Sequence, residues 1–357
     1  MDGVTEEHLQ DAIAGGGTGN AEAVRVLESR LGALVGAPYT LCVSSGTAAL
    51  ISALHAVGVR TGARVAVSAL GPSMTGLAVA ALGAEPVFID CRPGSFGLAP
   101  QALSEAAKEG PLAAVIPVPM WGYWDEDPQV LADLRQRGTP VIVDAAQAPL
   151  LRLEPQALAD IADVICLSLH GRKPIKAGEG GACLTRSEAL ADKILAVRNF
   201  GQLAAFSGTL VEPTGPFGSR FGTNFKINGV GAAWCLGQLE DPGALRARHA
   251  QLRAAARAAY DVTGIAWHEA PHGSDVVEHG GYGLVALCRD PEDAARMAHR
   301  LTASRVEVDT LRYTYAPMHT SACFAADGVR TPAAHDLTSL TVACRLEAFP
   351  APPAVGG

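Results

Sequence analysis

The feature that most restricts the fold is an alternation of apolar and amphipathic segments between about residues 20 and 240. Seven short apolar runs are bounded by Gly, Pro or Asp, as buried strands usually are: 39–44, 64–68, 85–90, 112–118, 140–145, 164–169 and 181–185. A helical pattern that ends at a glycine, residues 21–36, precedes the first run, and further helical patterns such as DPQVLADLRQRG separate the runs. The alternation indicates an α/β fold with a mostly parallel, seven-stranded sheet covered by helices on both faces. Ligands of such sheets bind at the carboxyl ends of the strands.

The chain of 357 residues divides where this alternation stops. We expect a large domain over residues 1–242 and a smaller C-terminal α+β domain over residues 243–357. An arginine-rich amphipathic segment, residues 243–263, is expected to form a bridging helix between them. A strand, a helix and an irregular tail should follow, and residues 350–357 are expected to be disordered.

The composition excludes several classes of protein. The net charge is −8 and no long basic run is present, so we expect neither nucleic acid nor membrane as a partner. No apolar stretch approaches roughly 18 residues, and the acidic N-terminus lacks the apolar core of a signal peptide. The eight cysteines are scattered, without CxxC pairs or the Cys/His spacing of a zinc site. These features predict a cytoplasmic protein without disulfides and without a metal site.

One lysine occupies an unusual place in the pattern. Lys173 lies in the segment SLHGRKPIKAGEGG, just past an apolar run and just before a glycine-rich turn. Burial at a strand end would disfavour the ammonium form, lower the pKa from about 10.4 and leave a nucleophilic amine near neutral pH. A lysine that forms a Schiff base needs that property. These residues alone are equally compatible with a solvated lysine on a surface loop.

Two further signals follow other apolar runs. In SSGTAAL, Ser44 to Leu50, the strand-to-helix turn offers backbone N–H groups and the Thr47 hydroxyl to an anion, although such turns also serve as ordinary helix caps. In VIVDAAQA, Asp144 ends a buried run and therefore needs a partner or a proton, in a functional or a purely structural role. An anion-binding turn, a buried carboxylate and a buried amine together match the needs of pyridoxal 5′-phosphate.

The order and spacing of these motifs resemble the DegT/DnrJ/EryC1/StrS family of pyridoxal-phosphate-dependent sugar and aminocyclitol aminotransferases. The resemblance covers residues 18 to 250 and includes GAEPVFID, RNFGQ and FGTNFKINGVGAAWCLGQLE. It implies fold-type I, the fold of aspartate aminotransferase, and a homodimer with shared active sites. It also implies glutamate or glutamine as amino donor and a keto-sugar or keto-cyclitol as acceptor, in specialised-metabolite or antibiotic biosynthesis.

The resemblance also assigns roles to individual residues. Lys173 would form the Schiff base and move the proton during transfer, Asp144 would pair with the pyridine nitrogen, and Gln147 would bind the ring hydroxyl. The remaining cofactor contacts would hold the phosphate, with Asn224 coming from the partner subunit: Ser45, Gly46, Thr47, Ser168 and Asn224.

The chain departs from the family pattern at three places: a C-terminal domain that looks short and ends in CRLEAFPAPPAVGG, and two places near the expected site. Pro72 stands where an aromatic residue usually stacks on the cofactor ring. The sequence therefore does not identify the residue that covers the ring, and the type of reaction stays open with it. Two aromatic residues in PVPMWGYWDED replace a shorter, histidine-bearing phrase and are expected either to line the substrate pocket or simply to pack. The candidates for substrate recognition are therefore Trp121, Tyr123, His170, Arg198, Lys226, Arg312 and His319.

Three functions compete. The first is an aminotransferase. The second is a dehydratase or another elimination on the same cofactor, which the retained Lys173 disfavours because related dehydratases replace that lysine. The third is a cofactor-binding accessory protein without turnover, which would need only some of the three motifs.

Overall fold

The computed structural model describes residues 3–19, 21–259, 267–269, 275–324 and 328–349. The strands are β1 Tyr39–Val43, β2 Arg64–Ser68, β3 Glu85–Ile89, β4 Leu112–Ile116, β5 Ile142–Asp144, β6 Arg152–Leu153, β7 Val164–Ser168, β8 Gly181–Thr185, β9 Leu203–Ser207, β10 Leu210–Thr214, β11 Val276–Glu278, β12 Gly283–Leu287 and β13 Thr341–Arg345. The α-helices are α1 Gly3–Ala14, α2 Glu22–Val35, α3 Gly46–Ala56, α4 Ser73–Ala81, α5 Pro100–Glu109, α6 Pro128–Gln136, α7 Leu158–Ile161, α8 Glu188–Arg198, α9 Gly229–Leu236, α10 Pro242–Ala259, α11 Pro291–Ala303, α12 Asp309–Arg312 and α13 Pro332–Leu340.

Seven strands form the central sheet, in the order β1-β8-β7-β5-β4-β2-β3. Four of them are hydrogen-bonded in one ladder and three in another, and a parallel bridge between Val115 and Val141 joins the two ladders. β8 runs antiparallel to both of its neighbours, whereas the other six strands share one direction. The seven apolar runs are therefore the seven strands, and the predicted fold class is confirmed.

Successive residues of a central strand enter different hydrophobic cores. Val65 and Val67 of β2 belong to one core, and Ala66 between them belongs to the other. Because side chains alternate across a strand, this division shows that both faces of the sheet are covered. α2 packs one apolar stripe into the core that contains Ala66, where Leu27 and Leu31 are fully buried. This double burial explains why the strands read as continuous apolar runs.

The C-terminal part has a core of its own. β12 and β13 pair antiparallel, and α11 packs beside them, burying residues such as Leu284, Leu301 and Val342. The tail expected to be irregular contains α13 and β13, so that expectation was wrong. Among the described residues β13 pairs with β12 alone, and the paired residues lie 54 to 62 positions apart in the chain. No local sequence pattern predicts this pairing.

The boundary at residues 242 and 243 stays a prediction. A single helix, α10, runs from Pro242 to Ala259 where the bridging helix was expected. Residues 260–263 of that expected helix, and the tail at 350–357, lie outside the described residues. Within the described part of the chain, no helix is both long enough and apolar enough to cross a bilayer.

Candidate active site

The three sequence motifs meet at one edge of the sheet. β1, β5 and β7 run in the same direction, and their carboxyl ends lead into Ser44, Ala145 and Leu169 respectively. The turn after β1 lies directly against the end of β7, since a Cβ added at Gly46 would stand 2.9 Å from the Cβ of Ser168. The three motifs therefore lie at the same edge of the sheet, although antiparallel β8 stands between β1 and β7.

The turn after β1 presents a helix N-terminus. Ser45 caps α3, and its hydroxyl accepts a hydrogen bond from the backbone N–H of Ala48 at 3.0 Å. Gly46 and Thr47 form the first turn, whose N–H groups have no helical carbonyl to reach. Ser168, at the end of β7, lies against this turn and is nearly buried. Such an arrangement favours an anion because the helix dipole and the free N–H groups act together.

Asp144 is a buried carboxylate with two partners. Its Oδ2 accepts a hydrogen bond from the hydroxyl of Thr75 at 2.7 Å, and its Oδ1 accepts one from the N–H of Ala146 at 3.2 Å. Burial raises the pKa of Asp144, while the two hydrogen bonds and the nearby Lys173 lower it. The motifs gave no indication of Thr75, because it comes from α4, two strands away in the sheet.

Lys173 follows β7 in a tight turn, in which its N–H donates to the carbonyl of His170 at 2.9 Å. Burial lowers the pKa of its amine to about 8, against the opposing effect of the Asp144 and Asp309 carboxylates. About half of the amine is therefore neutral near pH 8. The face of the Tyr282 ring lies 5.0 Å from Nζ.

Gln147 and Pro72 border the same region. The side-chain oxygen of Gln147 accepts a hydrogen bond from the N–H of Trp121 at 2.5 Å, which orients the amide and leaves its NH₂ group to donate elsewhere. Trp121 adopts a φ of 52°, which is uncommon for a bulky residue.

Pro72 is half-buried and directly precedes α4, and an exposed methionine, Met74, lies in the first turn of that helix.

The two aromatic candidates are buried by packing. The Trp121 ring makes edge contacts with Phe96 and Tyr315. The Tyr123 ring lies against His268 and His279, with its hydroxyl within 3.3 Å of an Arg253 nitrogen. Both residues are at most 3% exposed, so of the two expectations the structure favours packing over pocket lining.

Arg198 takes part in a buried ion pair. Its guanidinium pairs with the Glu28 carboxylate at 2.5 Å and donates to the carbonyl of Cys42 at 3.2 Å, and all three groups are buried. A buried arginine held in this way is not available to grip a substrate carboxylate, so the structure argues against that role. Sequence reasoning had no means of detecting Glu28, which lies 170 positions earlier in the chain.

The remaining candidates differ in accessibility. His170 is half-buried beside the turn of Lys173, and its Nδ1 accepts a hydrogen bond from the N–H of Arg172. Asn224 is exposed. Lys226 places its amine 4.0 Å from the centre of the Phe200 ring, next to the end of β1.

Arg312 and His319 come from the C-terminal part. Arg312 is exposed and pairs with Glu307 at 2.8 Å. His319 is buried against Phe88 and His335, and burial lowers its pKa. Neither residue makes a described contact with Lys173.

Other features do not offer a competing centre. A cavity of about 970 Å³ lies beside α10, lined among others by Arg246, His249 and Trp267, and none of the cofactor candidates borders it. Among the residues that the structure describes, no group of His, Cys, Asp and Glu side chains is arranged to hold a metal ion.

The donor set at the strand ends fits pyridoxal phosphate. Lys173 offers a partly neutral amine, Asp144 a buried carboxylate for a protonated ring nitrogen, and the α3 turn an anion site. These are the three groups that this cofactor requires of a protein.

Comparisons with known proteins agree with this geometry. The chain is 33% identical over 218 residues to UDP-2-acetamido-2-deoxy-3-oxo-D-glucuronate aminotransferase from Pseudomonas aeruginosa, a match that covers 61% of this chain and 58% of that protein. It is 28% identical over 309 residues to the putative L-glutamine:3-amino-2,3-dideoxy-scyllo-inosose aminotransferase of Streptomyces kanamyceticus, covering 84% and 70% respectively. The matches cover between 36% and 58% of the length of several curated relatives.

A solved structure shares the fold. The PLP form of a putative sugar aminotransferase from Streptococcus pneumoniae superposes with a TM-score of 0.80 over 97% of this chain and 91% of that one, at 19% identity. A profile of the DegT/DnrJ/EryC1/StrS aminotransferase family matches residues 2–347, nearly the whole chain. The chain therefore belongs to the DegT/DnrJ/EryC1/StrS aminotransferase family.

Proposed function

We propose that this protein is a pyridoxal-phosphate-dependent aminotransferase. The observation that carries the proposal is the juxtaposition of the Lys173 amine, the buried Asp144 carboxylate and the helix N-terminus at Ser45 to Thr47. Bound there, the cofactor supplies an electron sink for the carbon that gains or loses the amino group.

Each residue then has a task that its surroundings support. Asp144, held by Thr75, would keep the ring nitrogen protonated, and Gln147 would donate its free NH₂ to the ring hydroxyl. The N–H groups of Gly46 and Thr47, with the hydroxyls of Ser45 and Ser168, would hold the phosphate. Lys173, with a pKa of about 8, would take the proton from one reacting carbon and deliver it to the other near neutral pH.

The substrates are proposed from chemistry and from the relatives together. We expect glutamate or glutamine as the amino donor and a keto-sugar, often nucleotide-linked, or a keto-cyclitol as the acceptor. The relatives support this choice because their names specify an oxo-sugar nucleotide in one case and an inosose in the other. Biosynthesis of a specialised metabolite in the cytoplasm is the setting that these substrates favour.

We further propose a homodimer whose two active sites are shared. Three aromatic side chains of residues 200–221 are exposed, Phe200 by 42%, Phe217 by 70% and Phe221 by 61%, and large exposed apolar groups often mark an interface. Asn224 lies exposed just after this segment, where it is free to reach a partner subunit. It would complete the phosphate site of that partner.

The central test is spectroscopic. The purified protein with pyridoxal phosphate should show the absorption band of the lysine-linked cofactor, and Lys173→Ala should lose it. Lys176→Ala is the matched control, because that lysine is three residues away and pairs with Glu347 at 2.6 Å. Adding glutamate or glutamine should convert the band to that of the amino form, and keto-sugars and keto-cyclitols can then be screened for its reversal.

The outcomes separate the three functions. A band that persists in Lys173→Ala would remove the lysine assignment. A bound cofactor that no amino donor converts would favour a dehydratase or another elimination. A bound cofactor that no amino donor converts, in a protein that also catalyses no elimination, would favour an accessory role.

The shared site has its own test. Lys173→Ala and Asn224→Ala should each be inactive alone, and mixing them should restore part of the activity through hybrid dimers that contain one intact site. A monomeric mass in solution, or a monomeric protein that is fully active, would contradict the proposed dimer.

A further inference from the structure

A tyrosine from the C-terminal part of the chain covers the amine of Lys173. Tyr282 directly precedes β12, is 6% exposed, and places the centre of its ring 5.0 Å from Nζ. That distance lies within the range in which an aromatic face attracts a cation. The contact joins residues more than 100 positions apart in the sequence.

The ring is held in place through its hydroxyl. Tyr282 Oη donates to Asp309 Oδ2 at 3.0 Å, and Asp309 is 3% exposed. The other oxygen of Asp309 lies 3.3 Å from an Arg172 nitrogen and 3.8 Å from Nε of Arg345. Burial and the adjacent carboxylate raise the pKa of Tyr282, so the hydroxyl stays protonated and remains a donor. The ring is thus anchored by a buried acid that two arginines fix in turn.

We infer that Tyr282, anchored by Asp309, is a positioning residue that holds the side chain of Lys173 over the site and shields its amine from water. The inference rests on the proposed role of Lys173. Lysine carries its amine on a flexible four-carbon side chain, so an amine that is not attached to the cofactor samples many positions unless packing restricts it. Restriction matters most while the lysine is not attached to the cofactor and has to act as the proton carrier, because proton transfer requires hydrogen-bond distance.

The charged neighbours of Nζ lie on both sides. Asp144 faces it from the sheet, while Asp309, Arg172 and Arg345 lie on the side of Tyr282. Their effects on the pKa oppose one another, and burial is the largest influence. Removing the ring should therefore act mainly by admitting water, which returns the pKa of the amine toward its ordinary value.

The test compares two substitutions at one position. Tyr282→Phe keeps the ring and removes the hydroxyl, whereas Tyr282→Leu removes the ring. Tyr313→Leu is the matched control, because Tyr313 is 56% exposed and lies near Arg172 without a described contact to Lys173. Thermal unfolding of each variant checks that it folds.

The first readout needs no cofactor. In cofactor-free protein, the pH dependence of reductive methylation at Lys173, followed by mass spectrometry of its peptide, gives the pKa of the amine. We expect Tyr282→Leu to raise that pKa by about one unit, and Tyr282→Phe and Tyr313→Leu to leave it within about 0.3 units of the native value.

The second readout is the single-turnover rate with the amino donor. Tyr282→Leu should slow it by about tenfold or more and Tyr282→Phe by about two- to fivefold, with cofactor affinity little changed. An unshifted pKa and a native rate in Tyr282→Leu would overturn the inference. If that variant does not fold, a native rate in Tyr282→Phe would overturn the anchoring role. Persistence of the cofactor band in Lys173→Ala would instead refute the proposed function, so the two failures are distinguishable.

Discussion

Replacing Thr75 by valine isolates the support that α4 gives to Asp144. Valine matches threonine in shape, and Thr75 is fully buried, so the change removes little except the hydroxyl. That hydroxyl donates to the Asp144 carboxylate over 2.7 Å. A hydrogen bond to a charged group contributes about 1.5–3 kcal/mol, and burial of Asp144 calls for no discount for solvent.

The loss of stability caused by Thr75→Val should depend on pH, because the Thr75 hydroxyl stabilises the ionised form of Asp144. Burial already raises the folded-state pKa of Asp144 above its ordinary value of 3.8. The folded state therefore holds this proton more tightly than the unfolded state, and the free energy of unfolding falls as the pH rises through the folded pKa. Loss of the Thr75 donor raises that pKa further, by about one to two units at 1.36 kcal/mol per unit. The destabilisation should be small below pH 3.8, where both states are protonated, and should reach its full value above the folded pKa of the variant.

The assay is unfolding of the cofactor-free protein by urea at several pH values, for the native protein, Thr75→Val and Thr75→Ser. Serine keeps the hydroxyl and should retain most of the pH-dependent stability. A Thr75→Val penalty that is equal at acidic and neutral pH, or one shared by Thr75→Ser, would refute a specific hydrogen bond to the ionised carboxylate.

Further predictions concern packing and charge around the same sheet. Arg198→Met should destabilise the protein by about 3–5 kcal/mol in urea unfolding, because it leaves the buried Glu28 carboxylate without its partner, and adding Glu28→Gln should recover part of the loss. A stable Arg198→Met with a raised KM for the amino donor would show instead that the arginine binds substrate. Gly46→Ala should cost about 1–3 kcal/mol in thermal unfolding and weaken cofactor binding, because its Cβ would lie 2.9 Å from that of Ser168. Adding Ser168→Gly to Gly46→Ala should restore part of the lost thermal stability, because it removes the Cβ that the new methyl group would contact. An unchanged melting temperature for Gly46→Ala alone would contradict the close packing.

The fold was predictable where local chemistry specifies it. Six of the seven strands of the central sheet are almost wholly buried, and the edge strand β3 is half-buried, so these strands read as short apolar runs. The helices between strands carry their own boundary residues. Gly36 ends α2 in the left-handed conformation at φ 78°, and Ser45 begins α3 with a side-chain cap, as the residue types suggest.

Prediction failed where an element depends on a distant partner. β13 is a five-residue strand near the C-terminal end of the described residues, and it exists because β12 pairs with it. A single strand has no independent stability, and a hairpin signal is absent when the two strands are this far apart in the chain.

The candidate site divides in the same way. The sequence determined Lys173, Asp144 and the turn at Ser45 as chemically unusual positions, because each lies at or shortly after the end of a buried apolar run. Parallel strands place such positions at one edge, so their proximity follows from the strand pattern itself.

Only the tertiary structure decided the environment of those groups. It brought Thr75 to Asp144 and Tyr282 to Lys173, and it set Glu28 against Arg198, which turned a substrate candidate into half of a buried ion pair. The physical reason is that the position of a group along the chain follows from local pattern, whereas its pKa and its freedom to bind depend on burial and on charges brought close by packing. None of those partners is near in sequence, and no motif encodes them.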